Sequence, residues 1–186
     1  MELSGHTVVY GGSFNPPHVG HQMTCLYLLE ALGAKAVWMV PACRHPFGKP
    51  LSSFAHRAAM LQAMSRPFAD HVQVLAVEEE EGATGRTYDT LVSLKARHPA
   101  ERLALAVGSD ILREAAHWYR WADIEAMIPI VVVARMGFPA DRATPVVMPE
   151  VSSADIRQRL GRGEAIDGLV PTAVAEYIER HRLYRG

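Results

Sequence analysis

The chain has 186 residues, 49% of them hydrophobic, and a formal net charge of −1 at neutral pH. This is apolar material for one domain with a full core, which excludes a disordered chain, and the charge lacks the basic footprint of a broad nucleic-acid surface. Cys25 and Cys43 form neither a disulfide framework nor a zinc knuckle, and the longest apolar run, Ile130 to Ala134, is far too short to cross a bilayer. With no basic segment followed by an apolar run at the N-terminus, a soluble cytoplasmic protein is expected, with no membrane and no nucleic-acid partner. Monomer or homo-oligomer stays open.

Val8, Val9 and Tyr10 predict a first strand that breaks at Gly11-Gly12. Pro16-Pro17 stiffen the exit, and apolar residues recur at helical spacing from Val19 to Leu32. A strand, a glycine turn and a helix start gather backbone N–H groups and partial positive charge around a small hollow, which describes an anion site, phosphate above all. His18 and His21, three apart at that helix start, face the same hollow.

Gly33 stops the helix, Ala36 to Val40 form a second strand closed by Pro41, and a loop from Ala42 to Leu51 carries Arg44, His45 and Lys49. Ser52 or Ser53 caps a helix with His56, Arg57, Met60 and Leu61. Val72 to Val77 read as a third strand, with Glu78 to Glu81 as its solvated end. Thr87 caps a helix through Leu94. Leu103 to Val107 are a fourth strand, broken by Gly108-Ser109-Asp110, and 111–127 is helical in short pieces with Trp118, Tyr119 and Trp121. Pro129 to Ala134 form a fifth strand and Pro145 to Met148 a short sixth. Ser152 to Arg157 open a well-capped helix, and Pro171 begins the last one, through about Arg180.

Strands alternating with helices predict an α/β fold, a doubly wound parallel sheet of five to six strands with helices on both faces. Ligands in such folds bind at the carboxyl ends of the strands, so the turns at Gly11–His21, Pro41–Lys49 and Gly108–Asp110 should share one rim.

The glycine turn is neither of the two commonest phosphate loops, since it lacks Gly-Lys-Ser/Thr and Gly-x-Gly-x-x-Gly. Gly12-Ser-Phe-Asn-Pro-Pro-His-Val-Gly-His21 instead resembles the signature of the nucleotidyltransferase superfamily related to class I aminoacyl-tRNA synthetases. Val151-Ser-Ser-Ala-Asp-Ile-Arg157 is similar to its second half. Within that superfamily the chain most resembles the bacterial nicotinate-nucleotide adenylyltransferases. The match runs from Val8 to Tyr184 and includes Arg86-Thr-Tyr-Asp-Thr-Leu91, Gly108-Ser-Asp110 and His117-Trp-Tyr-Arg-Trp121.

The resemblance implies a Rossmann-like fold over 1–186, with the helical part from about 150 packed on the sheet and completing the ATP site. It implies ATP and a pyridine mononucleotide as partners, deamido-NAD and pyrophosphate as products, and Mg²⁺ carried mainly by ATP phosphates, with no metal-binding residue of the chain itself. His18, His21 and Arg157 become the catalytic residues. Gly12, Ser13, Phe14, Lys49, Gly108, Asp110, Ser152 and Ser153 join them at ATP, and Asn15, Lys49, Thr87 and Trp118 fall to the mononucleotide. An anionic phosphate nucleophile needs no general base, so hydrogen-bond donors rather than paired carboxylates are what this reaction requires.

Duller readings stand beside these. Ser152–Arg157 alone would pass for a capped surface helix, Asp110 for a helix cap, and Trp118 with Trp121 for a core stripe. Trp118 is read as ligand-facing and Trp121 as core. Relatives carry a basic residue next to the loop histidine. Here Arg44-His45-Pro46-Phe47-Gly48-Lys49 breaks that adjacency, so Lys49, His45 or Arg44 can supply the contact, with Lys49 favoured. Arg57 fits a structural or a functional role. Two competing functions remain: a related adenylyltransferase for nicotinamide mononucleotide or phosphopantetheine, and a non-catalytic nucleotide-binding regulator.

Overall fold

A computed structural model of the chain describes residues 2–43, 51–80, 82–115 and 117–185. Its strands are β1 (His6–Gly12), β2 (Ala36–Pro41), β3 (Val72–Val74), β4 (Arg102–Gly108) and β5 (Ile130–Val133), all parallel, in the order β3-β2-β1-β4-β5. The helices are α1 (Val19–Leu26), which runs on as a π turn over Tyr27–Ala31, α2 (Phe54–Ser65), α3 (Thr87–Arg97), α4 (Leu112–Ala115), α5 (Trp121–Met127), α6 (Ser153–Gly161) and α7 (Thr172–Arg180).

Both faces of the sheet are covered, which is why β4 and β5 read as unbroken apolar runs instead of alternating. Alternate residues nevertheless go to opposite sides. Val8, Val37, Met39, Ala104 and Val131 pack with Leu28, Met60, Ile156, Val174 and Ile178. Val9, Trp38, Leu105 and Val132 pack with Leu91, Leu94 and Ile124. The C-terminal helices α6 and α7 therefore share the core built on β1 and β2. From β1 the chain first adds strands on one side and then crosses to β4 on the other, so a crevice opens beyond the carboxyl ends of β1 and β4.

Some local expectations change. Pro145 to Met148 do not form a sixth strand. Met148 makes an isolated bridge to Arg135, the Thr144 hydroxyl accepts from Ala134 N–H at 3.0 Å, and Pro145 has no N–H to continue a ladder. β3 stops at Val74, and α3 runs on to Arg97, where Lys95 and Arg97 face the negative end of the helix. Thr87 is the first helical residue of α3 rather than its cap, and Pro171 precedes α7 by one position. No described helix is long and apolar enough to cross a membrane.

Candidate active site

β1 delivers Gly11 and Gly12 to the rim, where the Gly12 carbonyl accepts from Ala42 N–H at 2.9 Å. Phe14 turns back with φ of +47° and buries its ring edge-on against Tyr10 and His21, with centroids at 5.6 and 4.9 Å. A Cβ on residue 12 would stand 3.1 Å from that ring, so the second glycine of the turn makes room for Phe14.

His18 is the N-cap of α1, and its backbone N–H donates to Nδ1 of His21 at 3.1 Å. A backbone N–H can only donate, so Nδ1 of His21 carries a lone pair and the proton of the neutral ring lies on Nε2. The two imidazoles stack with centroids 3.7 Å apart. Gly20 lies beneath them, and a Cβ there would meet the His18 ring at 3.1 Å. Burial lowers the His18 pKa to about 3, with the positive charge of Arg135 adding to the effect. Burial, then His18, then Arg135 push His21 well below its ordinary value. Both rings are therefore neutral at neutral pH, and they can offer N–H donors without bringing a charge of their own.

The second motif is stitched onto the exit of the first. Ser152 Oγ caps α6 by accepting from Asp155 N–H at 3.1 Å. Ser153 Oγ donates to the Pro16 carbonyl at 2.8 Å, and Arg157 Nη1 donates to the Asn15 carbonyl at 2.6 Å. Asn15 is buried, and its side-chain oxygen accepts from Tyr184 Oη at 2.8 Å and Ser52 N–H at 3.3 Å. Arg57, 1% exposed, donates to the carbonyls of Ser13 at 2.8 Å and Ser52 at 3.0 Å. That arrangement gives Arg57 a positioning role. Backbone carbonyls, with no acid among the described residues in hydrogen bond, hold its guanidinium, and burial lowers its pKa.

Across the crevice, Gly108 leaves room for the Asp110 carboxylate, which a Cβ would strike. Asp110 caps nothing. Its Oδ2 pairs with Arg135 Nη1 at 2.7 Å, and Arg135 Nη2 reaches the Val151 carbonyl, just before α6, at 3.0 Å. Arg135 N–H also donates to Ser109 Oγ at 2.9 Å. One guanidinium thus joins the end of β4 to the start of the second motif. The sequence held a signal for it, because a charged residue just after an apolar strand of a parallel sheet lands on the ligand rim.

Beside the histidines a cavity of about 340 Å³ opens, lined by Gly12, Ser13, Glu78, Arg86, Thr87, Gly108, Trp118 and Tyr119 with apolar residues of β2 and β4. It gathers five of the anticipated residues: Gly12, Ser13, Thr87, Gly108 and Trp118. His18, His21, Phe14, Asn15, Ser152, Ser153 and Arg157 belong to the stitched region next to it. Lys49, Arg44 and His45 lie outside the described residues. Trp118 meets Trp121 edge-on at 5.8 Å, so it lines the cavity and is braced from behind. Glu78 is not a solvated strand end: it is 9% exposed, its Oε2 accepts from Cys43 N–H at 3.2 Å and its Oε1 from the Thr90 hydroxyl at 3.1 Å. Burial raises its pKa. Its neighbours Glu79 and Glu80 are exposed as expected. Among the described residues no three metal-ligating side chains cluster.

Residues 9–159 match the cytidylyltransferase-like family. The chain is 46% identical over 179 residues to the probable nicotinate-nucleotide adenylyltransferase of Anaeromyxobacter dehalogenans strain 2CP-C, covering 95% of each. It belongs to the nicotinate-nucleotide adenylyltransferase family. A further member, the probable nicotinate-nucleotide adenylyltransferase of Myxococcus xanthus, is 43% identical over 99% of this chain and 97% of its own. The fold is that of the Plasmodium falciparum nicotinic acid mononucleotide adenylyltransferase complexed with NaAD, with a TM-score of 0.81 at 20% identity, covering 96% and 97% of the two chains.

Proposed function

We propose that this protein joins the adenylyl group of ATP to nicotinate mononucleotide, giving deamido-NAD and pyrophosphate. The observation that carries the reading is the stacked, neutral His18–His21 pair at the start of α1, next to the cavity, in a chain of this family.

A phosphate oxygen of the mononucleotide attacks the α-phosphorus of ATP in line, and the bond from that phosphorus to the pyrophosphate oxygen breaks. The nucleophile is already anionic, so the protein's task is to hold two anionic substrates in register and stabilise the charge at the α-phosphate. His21 offers Nε2–H, fixed by the hydrogen bond at Nδ1, and His18 offers a second neutral ring. Arg157 has N–H groups beyond the one given to Asn15, and with Ser153 and the start of α6 it would receive the leaving β,γ-phosphates. Asp110 and Gly108 lie toward the ATP ribose. Trp118 stacks on the pyridine ring, and Thr87 at the start of α3 meets its carboxylate.

The side chains at the rim are mainly donors, with Asp110 held by Arg135, and this suits phosphate oxygens better than a bare cation. Mg²⁺ would therefore be held mainly by ATP phosphates and water, where it neutralises phosphate charge.

Pyrophosphate release with ATP and each of nicotinate mononucleotide, nicotinamide mononucleotide and phosphopantetheine tests the proposal. Nicotinate mononucleotide should give the highest kcat/KM. No release with any of the three would leave the regulator reading standing.

A further inference from the structure

Among the described residues the cavity has two charged side chains in its wall, Glu78 and Arg86, and they are engaged differently. Both carboxylate oxygens of Glu78 are taken by protein donors, Cys43 N–H and the Thr90 hydroxyl, so this acid is bound into the wall. The Arg86 guanidinium lies over the Tyr119 ring, 4.4 Å from its centroid, and makes no ion pair among the described residues. With no side-chain hydrogen bond or ion pair among the described residues, the guanidinium N–H groups are available to a ligand.

The guanidinium is also held in place. Tyr119 meets Tyr88 edge-on with centroids 6.1 Å apart, Arg120 lies 4.1 Å over the Tyr88 ring, and Arg120 pairs with Asp123 at 2.6 Å. This stack ties the first turn of α3 to the first turn of α5 and presents Arg86 at the cavity wall. Arg86 is itself the N-cap of α3, where no side chain caps the helix, so the amide dipoles add positive potential at the same place, offset in part by Asp89 in the first turn.

From this geometry we infer that Arg86 is a specificity-determining residue, whose guanidinium favours a pyridine mononucleotide bearing a ring carboxylate over one bearing the uncharged amide. This rests on the adenylyl-transfer reading above. Carboxylate and carboxamide have nearly the same shape, and each offers at least one acceptor oxygen, so stacking on Trp118 and a single hydrogen bond discriminate poorly. Net charge is the difference between them. A guanidinium at the cavity wall reads that difference, attenuated by solvent because Arg86 is exposed.

The readout is the ratio of kcat/KM for nicotinate mononucleotide to that for nicotinamide mononucleotide, by pyrophosphate release. If nicotinamide turnover falls below detection, its inhibition constant against the nicotinate substrate replaces it. R86Q should lower the ratio about 10-fold, and R86K should recover part of the loss. The wild-type KM for nicotinate mononucleotide should rise with ionic strength more steeply than that of R86Q. A ratio unchanged in both variants, or equal losses for both substrates, would overturn the assignment. A melting curve for each variant separates unfolding from lost selectivity, and the salt dependence tests the wild-type protein without any substitution. Should the wild type release pyrophosphate with neither mononucleotide, the adenylyl-transfer reading itself fails. Release with an unmoved ratio removes only the role of Arg86.

Discussion

The stitched region around Asn15 and the hollow between β4 and α3 lie side by side and are built on opposite terms. Around Asn15 the polar groups are spent on one another. Arg57, Ser153 and Arg157 donate to the carbonyls of Ser13, Pro16 and Asn15, and Tyr184 closes the Asn15 side chain. In the hollow, walls of Leu105, Val107, Ile111 and Trp118 enclose open volume, and Arg86 has no acid in its grip among the described residues. The first region carries fold and chemistry together, because the bonds that shape the chain also aim its donors. In the second, core residues form the walls, and the polar groups open to a ligand are not the bonds that shape the chain. Substitutions should therefore move stability and turnover together in one region and affinity alone in the other.

Arg57→Ala strikes the stitched region hardest, removing the donor to two half-buried carbonyls and leaving a large void. A loss of about 3 kcal/mol is expected from urea unfolding. A loss near zero would show that this region does not carry the fold. Next is His21→Ala, which should slow kcat about 10²-fold or more in a protein that still melts cooperatively. A folded variant with a near-normal rate would remove His21 from the chemistry.

The pH dependence of stability separates the regions in a different way. The folded-state pKa of His18 is about 3 against an ordinary 6.5, so between those values the unfolded chain binds a proton that the folded chain does not. Stability from this group is fully present above the ordinary value and declines as pH falls toward the folded one, by about 1.4 kcal/mol per pH unit. His18→Gln should flatten that part of the curve, and identical slopes in variant and parent would contradict the buried neutral imidazole. The smallest effect is reserved for the hollow. Trp118→Ala should raise KM for the mononucleotide about 10-fold with little change in KM for ATP. Equal changes in both would mean that the hollow and the rim are one site energetically.

Much of the rim could be read from local spacing. Two histidines three apart at a helix start share a face whatever surrounds them, and serines before an apolar helical run cap it. The sheet followed from apolar runs alternating with helical periods. Arg86 and Glu78 were harder. Both sit in a loop of charged and small residues whose course, back across the ends of β2 and β4, is not encoded in any local period. Glu78 read as solvent-facing because acidic runs usually are, and only the approach of Cys43 and Thr90 gives its carboxylate partners. The role of Arg57 follows from the Ser13 and Ser52 carbonyls converging on its guanidinium, a meeting that no local spacing encodes.

The sequence by itself determined which elements form and which of their ends carry donors, since capping, periodicity and glycine placement act over a few residues. The tertiary structure decided which donors meet and which charges stay open to a ligand. That depends on contacts such as Arg157 with Asn15, Tyr184 with Asn15 and Arg135 with Asp110, which join residues far apart along the chain. They are selected by how the two helical layers close over one sheet, and no local pattern of residues records that closure.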